Sequence, residues 1–385
     1  MANRIITPVS PADYRELARR RLPAFLFHYI DGGANDEDSM AANIGGFRRI
    51  RLRQRVLRDV SAVDTRTELA GQAAAMPLAL APVGLAGMMA RRGEVQAARA
   101  AAAAGVPFTL STVGICPLEE VRAASTQDFW FQLYMLRDRG LVSRLLERAW
   151  AVGCRTLVFT VDLAVTGVRH RDLRYGMLGS SARARLARAW QLMTHPRWVL
   201  DVAVRGKPHD FGNLRDIMPH SSDLDAYKAF IGSQFDPSVT WRDIGWLRSQ
   251  WQGKILIKGV MTGEDALEAA DAGADGVVVS NHGGRQLDGV PATIDQLPGV
   301  VAAASGRLEV YLDGGVRNGL DVVRAVALGA RGVLIGRPWI FAVAACGEAG
   351  LRDLLAVMHR EISVAMALMG VNRISELNPD CVEIR

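Results

Sequence analysis

The sequence predicts an α/β fold: a parallel (β/α)8 TIM barrel with an N-terminal helical segment and a long insertion after the fourth strand. Three observations predict it. From Met76 onward, eight short apolar runs rich in β-branched residues alternate with helical patterns. Several of those patterns stop at a glycine (Gly105, Gly153, Gly273, Gly329), as helices do before the chain reverses. The strand candidates then end in polar residues, as expected of a barrel that works at the C-terminal ends of its strands. A doubly wound sheet is the alternative, weakened because no G-x-G-x-x-G follows the first strand candidate.

In chain order, residues 11–30 read as helical, with Arg15, Arg19 and Arg20 set among Leu17, Leu22, Phe25 and Leu26. Phe27 to Ala34 reads as a helix end running into a glycine turn. The strand candidates are 76–82, 107–112, 130–134, 156–162, 255–259, 276–281, 309–315 and 332–337. Helical patterns lie between them, among others at 93–104, 140–152, 263–272 and 319–328. The chain therefore reads as one domain over 1–385, with 1–75 as an N-terminal extension and 170–240 as a lid or insertion within the barrel.

The insertion interrupts the rhythm: about ninety residues separate Asp162 from Ile255, where a barrel unit needs far fewer. Within it, 174–207 carries Arg174, Arg183, Arg185, Arg188, Arg197, Arg205 and Lys207 against one acid, Asp201. Tyr175, Leu186, Trp190, Leu192, Met193, Trp198, Val199 and Leu200 are interleaved. A basic, Trp-bearing, partly amphipathic stretch can lie on an anionic membrane face. A lid or an oligomer contact is the other reading of the same stretch.

Composition narrows the class. The chain has 385 residues, 49% of them hydrophobic and 22% charged, which is ordinary for a globular protein. Its net charge of +6 favours anionic ligands but comes with no nucleic-acid motif. Of the 46 basic residues only four are lysines (207, 228, 254 and 258). Cys116, Cys154, Cys346 and Cys381 are far apart, with no C-x-x-C pair, so neither a disulfide framework nor a zinc site is expected. The N-terminus has no apolar signal core, and the uncharged run Ala100 to Leu118 is broken by Gly105, Pro107, Gly114 and Pro117. A soluble, cytoplasmic protein with possible surface attachment is expected.

The residues that carry chemistry sit at the strand ends. After Gly276-Val277-Val278-Val279 comes Ser280-Asn281-His282-Gly283-Gly284-Arg285-Gln286. A histidine can exchange a proton near neutral pH, two glycines let the backbone turn and approach a ligand, and an arginine can grip a carboxylate. The segment reads as a base beside a carboxylate clamp. Asp313-Gly314-Gly315-Val316-Arg317 and Ile335-Gly336-Arg337 end the last two strands, where barrels often hold a phosphate. Lys258 ends the fifth strand and needs negative charge; a reduced flavin's anionic edge fits, and Schiff-base chemistry competes. Gln132 and Thr160 could hydrogen-bond a flat heterocycle.

Taken together, these stretches resemble the FMN-dependent L-2-hydroxy acid dehydrogenases and oxidases. The likeness covers nearly the whole chain. It rests on YIDGGA (29–34), FQLY (131–134), TVD (160–162), IKG (257–259), SNHGGRQLDG (280–289), LDGGVRNGLDVVRAVALGA (312–330) and IGRP (335–338). Within the family, bacterial membrane-associated L-lactate dehydrogenases are most alike, through LPAFLFHYIDGGA (22–34), LRQRVL (52–57) and ALAPVGLAGMMARRGEVQAA (79–98). The resemblance implies His282 as active-site base and Asp162 as the carboxylate that orients it. It implies Arg169 and Arg285 on the substrate carboxylate, with Tyr29 and Tyr134 near the carboxylate and hydroxyl, and Tyr134 is counted with the catalytic residues. For FMN it implies Lys258 at the pyrimidine edge, Ser111, Gln132, Thr160 and Ser280 on the ring, and Ala81, Pro82 and Val83 along it. Asp313, Gly314, Gly315, Arg317, Gly336 and Arg337 match the ribityl-phosphate site. No metal is expected.

Two departures bear on specificity. The loop after the second strand reads Ser111-Thr112-Val113-Gly114, with no aromatic residue, and Ala164-Val165-Thr166-Gly167 lacks a proline often seen there. The expected reaction is oxidation of an L-2-hydroxy acid, foremost L-lactate to pyruvate, with electrons passed to a membrane quinone or another respiratory acceptor. An oxidase yielding peroxide is the alternative, and Gly84, where family oxidases more often carry Ala, leans toward the dehydrogenase. An FMN-dependent barrel isomerase and a non-catalytic flavoprotein are further readings; the His282–Arg285 pair and the intact clamp speak against them. A homotetramer, peripheral on the cytoplasmic face of the inner membrane, completes the expectation.

Overall fold

Eight parallel strands follow one another around the barrel in chain order. They are β1 Leu78–Leu80, β2 Thr109–Ser111, β3 Trp130–Leu133, β4 Thr156–Thr160, β5 Lys254–Val260, β6 Gly276–Val279, β7 Glu309–Asp313 and β8 Gly332–Ile335. Each lies within or beside a run expected from sequence. β1 pairs with β8, and a parallel bridge from Leu80 to Phe108 closes the ring on the β2 side. This computed structural model describes residues 7–178, 181–217 and 232–385. Residues 1–6 of the extension, and 179–180 and 218–231 of the insertion with Lys228, lie outside the described residues.

The strands are short and almost wholly buried, because each is covered by helices outside and filled by side chains inside. Inside, Ala79, Trp130, Val158, Leu256, Val278, Tyr311 and Leu334 form a small core of their own. The hairpin Thr67–Leu69/Gln72–Ala74 adds Leu69, Ala70 and Ala74 to that core, and the Ala70 amide donates to the Tyr311 hydroxyl at 2.7 Å. One end of the barrel is thus filled with apolar side chains, and chemistry is left to the other.

Local signals set the helix ends. Asp138, Thr262 and Asn318 each cap the helix that follows by accepting from its third backbone NH. Gly105, Gly153, Gly273 and Gly329 all take positive φ at the C-terminal ends, as expected. The stretch 11–30 departs from the sequence reading. It forms two helices, Pro11–Arg21 and Ala24–Asp31, because Pro23 lacks an NH and excludes Leu22 from helical geometry. The break lets the second helix carry Tyr29 and Asp31 over the barrel mouth.

Candidate active site

The strand register brings the polar residues together. Ser111 pairs with Gln132 across β2 and β3, and Thr160 pairs with Lys258 across β4 and β5. Leu256 belongs to the inner core and Lys258, two residues on, lines the mouth, as the alternation of a strand requires. A bulge follows at Gly259, whose φ is +116°. A Cβ there would lie 2.7 Å from the Asp162 Cβ, so glycine makes the room in which Asp162 sits.

A cavity of about 730 Å³ opens over these strand ends. Tyr29, Ala81, Pro82, Val83, Tyr134, Thr160, Arg169, Lys258, His282 and Arg285 line it. Asp313, Gly314, Gly315, Arg317, Gly336 and Arg337 complete the far wall. Ser111, Gln132, Ser280 and Asp162 lie behind the lining. The Ser111 hydroxyl donates to Gln132 Oε1 at 3.0 Å, and the Ser280 hydroxyl accepts from Lys258 Nζ at 2.8 Å and from the His282 amide at 3.1 Å.

His282 takes φ +58°, uncommon for a side chain with a Cβ and typical of residues held at working sites. Its Nδ1 lies 2.8 Å from Asp162 Oδ1. A carboxylate only accepts, so the network assigns the proton to Nδ1 and leaves Nε2 with its lone pair. An ionised Asp162 by itself raises the proton affinity of His282. Asp162 does pull that way, but burial outweighs it, aided by Lys258 and Arg169, and the imidazole pKa lies below its ordinary value. Burial would raise the Asp162 carboxyl; the charge and hydrogen bond of His282, with Lys258 behind, hold it below the usual carboxylate value. The pair is therefore a neutral base beside an ionised orienter.

Lys258 is buried and Arg285, Arg317 and Arg337 are partly so, at a cost that an anionic ligand would offset. Burial pushes Lys258 down, yet Asp313 at 2.8 Å and Asp162 outweigh it and hold its pKa above normal. Asp313 is thus a partner of Lys258. Two of the three ammonium protons serve Asp313 and Ser280, which leaves one for a ligand. Burial brings Arg285 and Arg317 each down to about 10, with neighbouring Arg169 adding to the effect on Arg285. Arg337 falls well below its usual value through burial and the charges of Arg285 and Arg317. Guanidinium groups keep their charge, so the crowding marks a strongly positive pocket.

Several buried polar atoms here have no partner among the described residues: Gln132 Nε2, Thr160 Oγ1, Asp313 Oδ1 and Arg337 Nε. Native interiors rarely leave such groups unpaired without a ligand or water to meet them. A Cβ on Gly336 would meet nothing nearer than the Ala81 Cβ at 3.9 Å, so open space remains where Gly336 leads into the helix beginning at Arg337. Donors for a flat polar ring, a lysine, and two arginines beside a helix N-terminus suit a phosphorylated heterocycle such as FMN.

Other residues hold this set in place and carried no role in the sequence reading. The Gly32 carbonyl accepts from both Arg285 Nη1 (2.7 Å) and Arg337 Nη2 (2.8 Å). Asp31 is buried between Arg15 and Arg171, bonded to Arg15 Nη2 at 2.7 Å and to Arg171 Nη1 at 2.8 Å, and Arg171 also pairs with Glu37. Gln286 ties the β4 loop to the β6 loop, donating to the carbonyls of Asp162 and Val165 and accepting from Arg169 Nη2 at 3.2 Å. The loop carrying Arg169 can approach because residue 167 is glycine: a Cβ there would lie 2.5 Å from the Arg285 carbonyl. Asp31, Gly32 and Gln286 had the signal of lying inside YIDGGA and SNHGGRQLDG; Arg15, Arg171 and Glu37 lie in none of the quoted motifs.

Comparison with known proteins agrees with this geometry. A family model described as "FMN-dependent dehydrogenase" matches residues 18–384. A protein named L-lactate dehydrogenase from Caulobacter vibrioides is 57% identical over 369 residues, covering 96% of each chain. One of the same name from Allorhizobium ampelinum is 54% identical over 371 residues, 96% of this chain and 97% of its own. Among solved structures, the monotopic membrane protein (S)-mandelate dehydrogenase aligns with TM-score 0.91 at 36% identity, covering 98% of this chain and all of that one. A mandelate oxidase aligns with TM-score 0.83 at 37% identity, over 98% of this chain and 99% of its own.

Proposed function

The chain belongs to the FMN-dependent dehydrogenase family, and on that premise we propose that it oxidises L-lactate to pyruvate and passes the electrons to a membrane quinone or another respiratory acceptor. The observation that carries the reading is a neutral base, His282, oriented by Asp162 at 2.8 Å and sharing one cavity with Arg169 and Arg285. A base and two guanidinium groups match a substrate with a carboxylate beside the carbon to be oxidised.

Arg285 and Arg169 hold the carboxylate and so fix the orientation of the hydroxyl-bearing carbon. His282 takes the departing proton at Nε2, and Asp162 stabilises the imidazolium that forms. Burial raises the Tyr134 phenol, which stays protonated and can donate to the substrate, with Tyr29 on the same wall. Ser111, Gln132, Thr160, Lys258, Ser280 and Ala81 to Val83 would hold the FMN ring, and Asp313 to Gly315, Arg317, Gly336 and Arg337 its ribityl phosphate. Bound FMN supplies the two-electron acceptor.

Membrane attachment belongs to the same proposal. In helix Ala182–Thr194 no side chain is buried, and Leu186, Trp190 and Met193, at i, i+4 and i+7, are 75%, 64% and 67% exposed. Arg183 and Arg185 stand exposed beside them. Such a stripe suits the interface of an anionic bilayer, on the cytoplasmic face. No helix among the described residues is long and apolar enough to cross a membrane. The working unit is taken as a homotetramer, as the resemblance implies.

The test is a visible spectrum of the purified protein before and after anaerobic L-lactate. Immediate bleaching of a flavin band supports the reading, and slow return of colour on admitting oxygen separates dehydrogenase from oxidase. A flavin band untouched by L-lactate overturns the substrate. No flavin after adding FMN overturns the assigned cofactor site.

A further inference from the structure

The base sits on a loop that part of the N-terminal extension holds from below. Helix Asp38–Gly46 begins abnormally: Glu37 at its N-cap has φ +69° and makes no side-chain cap. Asp288, ten residues beyond β6's Val278, supplies the cap instead. Its carboxylate accepts from the amides of Asp36, Asp38 and Ser39 at 3.1, 3.3 and 2.8 Å. The helix and the β6 loop are therefore built as one unit.

Within that unit Asn43 and Asn281 form a reciprocal amide pair. Asn43 Nδ2 donates to Asn281 Oδ1 at 2.7 Å, and Asn281 Nδ2 donates to Asn43 Oδ1 at 3.0 Å. Both residues are buried. Asn281 Oδ1 also accepts from the Gly284 amide at 3.1 Å, so the pair closes the turn Asn281–Gly284 around His282. Asn43 Oδ1 also accepts from the Thr293 amide at 3.1 Å, and Thr293 Oγ1 donates to the Gly314 carbonyl at 3.3 Å. A Cβ on Gly315 would lie 2.1 Å from the Asn43 carbonyl oxygen, so the β7 loop also rests on Asn43.

We propose that Asn43 is a positioning residue for the reaction: through its amide pair with Asn281 it holds His282 at its left-handed backbone geometry, in line with the substrate carbon. The inference rests on the proposed function. Arg285 has separate anchors, the carbonyls of Tyr29 and Gly32, both at 2.7 Å. Loss of Asn43 therefore displaces the base more than the carboxylate clamp, and the limiting rate falls while substrate binding persists.

The experiment compares flavin reduction by L-lactate in stopped flow for wild type, Asn43→Ala, Asn43→Asp and Asp288→Ala, each loaded with FMN. Asn43→Ala is expected to lower the limiting rate by about 10²-fold, the scale of a small misplacement of a reacting group. FMN fluorescence quenching and the dissociation constant of oxalate, an unreactive carboxylate, should change by less than about threefold. Asn43→Asp keeps the acceptor for Thr293 but replaces the donor to Asn281 with a buried carboxylate oxygen that faces Asn281 Oδ1. It should slow reduction too, and serves if the alanine variant does not fold. Asp288→Ala loosens the same helix at its other end and should lower thermal stability without a comparable loss of rate. Equal rates in wild type and both Asn43 variants overturn the proposal, as does an equal slowing in Asp288→Ala. A wild type that L-lactate leaves oxidised overturns the proposed function instead.

Discussion

Two stretches depart from the barrel's repeat, and both are rich in arginine and aromatic residues: the extension from Tyr14 to Gly46 and the insertion from Arg174 to Lys207. They behave in opposite ways. In the extension, Tyr14, Phe25, Leu26, Phe27 and Ile30 are buried, and Arg15 and Arg171 converge on Asp31. In the insertion, the buried residues among those described in 174–207 are Gly176, Met177, Trp198, Val202 and Gly206, with the Trp198 indole donating to the Met88 carbonyl at 3.0 Å. Gln191 ties the insertion helix to the Phe25 amide, and Tyr175 stacks on His28 at 3.5 Å. Leu192 and Val199 pack partly buried against the core, whereas Leu186, Trp190, Met193, Leu200 and Val204 are exposed. Both carry arginines and aromatics, but the extension sets four arginines against five acids and the insertion seven basic residues against one; they differ as well in how much of their apolar surface packs within the chain. One stretch packs over the barrel mouth, and the other leaves Leu186, Trp190 and Met193 exposed.

The largest expected effect lies at the base that the extension supports. His282→Gln should keep FMN bound and slow flavin reduction by about 10²- to 10⁴-fold, the range for loss of a general base. Rapid reduction in that variant, measured by stopped flow, breaks the link between the extension and chemistry. Next comes the hub itself. Asp31→Asn removes the buried carboxylate shared by a half-exposed Arg15 and a part-buried Arg171, which keeps Glu37, and should cost about 2 kcal/mol in denaturant unfolding, the scale of lost hydrogen bonds to charged groups. A change under about 1 kcal/mol would place the extension's stability in its apolar contacts alone.

The pH dependence sharpens the same side. Burial lowers the His282 pKa below 6.5, so the base is unprotonated at pH 7. Flavin reduction should be level above neutrality and fall about tenfold per unit only below the lowered pKa. A limb centred above pH 7 contradicts the assignment. Asp31 behaves in the opposite range. Burial would raise it, but Arg15, Arg171 and Arg337 hold its folded pKa below 3.8. Its contribution to stability is therefore full above the unfolded pKa and is lost as pH falls through the folded one.

The smallest effect on folding is expected in the insertion. Leu186→Asp, Trp190→Asp and Met193→Asp together should change stability by no more than about 0.5 kcal/mol per site, as these side chains touch little. Flotation with phosphatidylglycerol vesicles should nevertheless be lost. A triple variant that still floats removes the contrast between the two stretches. Deleting 174–207 outright is a poorer test, because Tyr175, Gln191 and Trp198 are packed on the body.

Much of the molecule was legible along the chain. All eight strands fell on runs such as Gly276-Val277-Val278-Val279, where β-branched residues and flanking glycines are local signals. His282, Arg285, Lys258, Arg317 and Arg337 stood out together: a salt bridge explains any one of them, but so many polar residues at the strand ends of one rim point to a site. Asn43 and Asp31 did not stand out. Their partners lie 238 and 140 residues away, at Asn281 and Arg171, and nothing in the local pattern of either shows the pairing. The helical reading of 11–30 passed over Pro23, a local signal that was present.

Periodicity, turn residues and the chemistry of side chains at strand ends are properties of neighbouring residues, and the sequence by itself determined the barrel and the kinds of group at its mouth. Tertiary structure decided three other things. It set the direction of the His282 pKa, because desolvation depends on everything packed around the ring. It made Asp313 a partner of Lys258 through the packing of β5 and β7 around one mouth. It also separated buried Trp198 from exposed Trp190, two tryptophans of one basic stretch. Burial is a relation between distant parts of the chain, and only the folded chain brings those parts together.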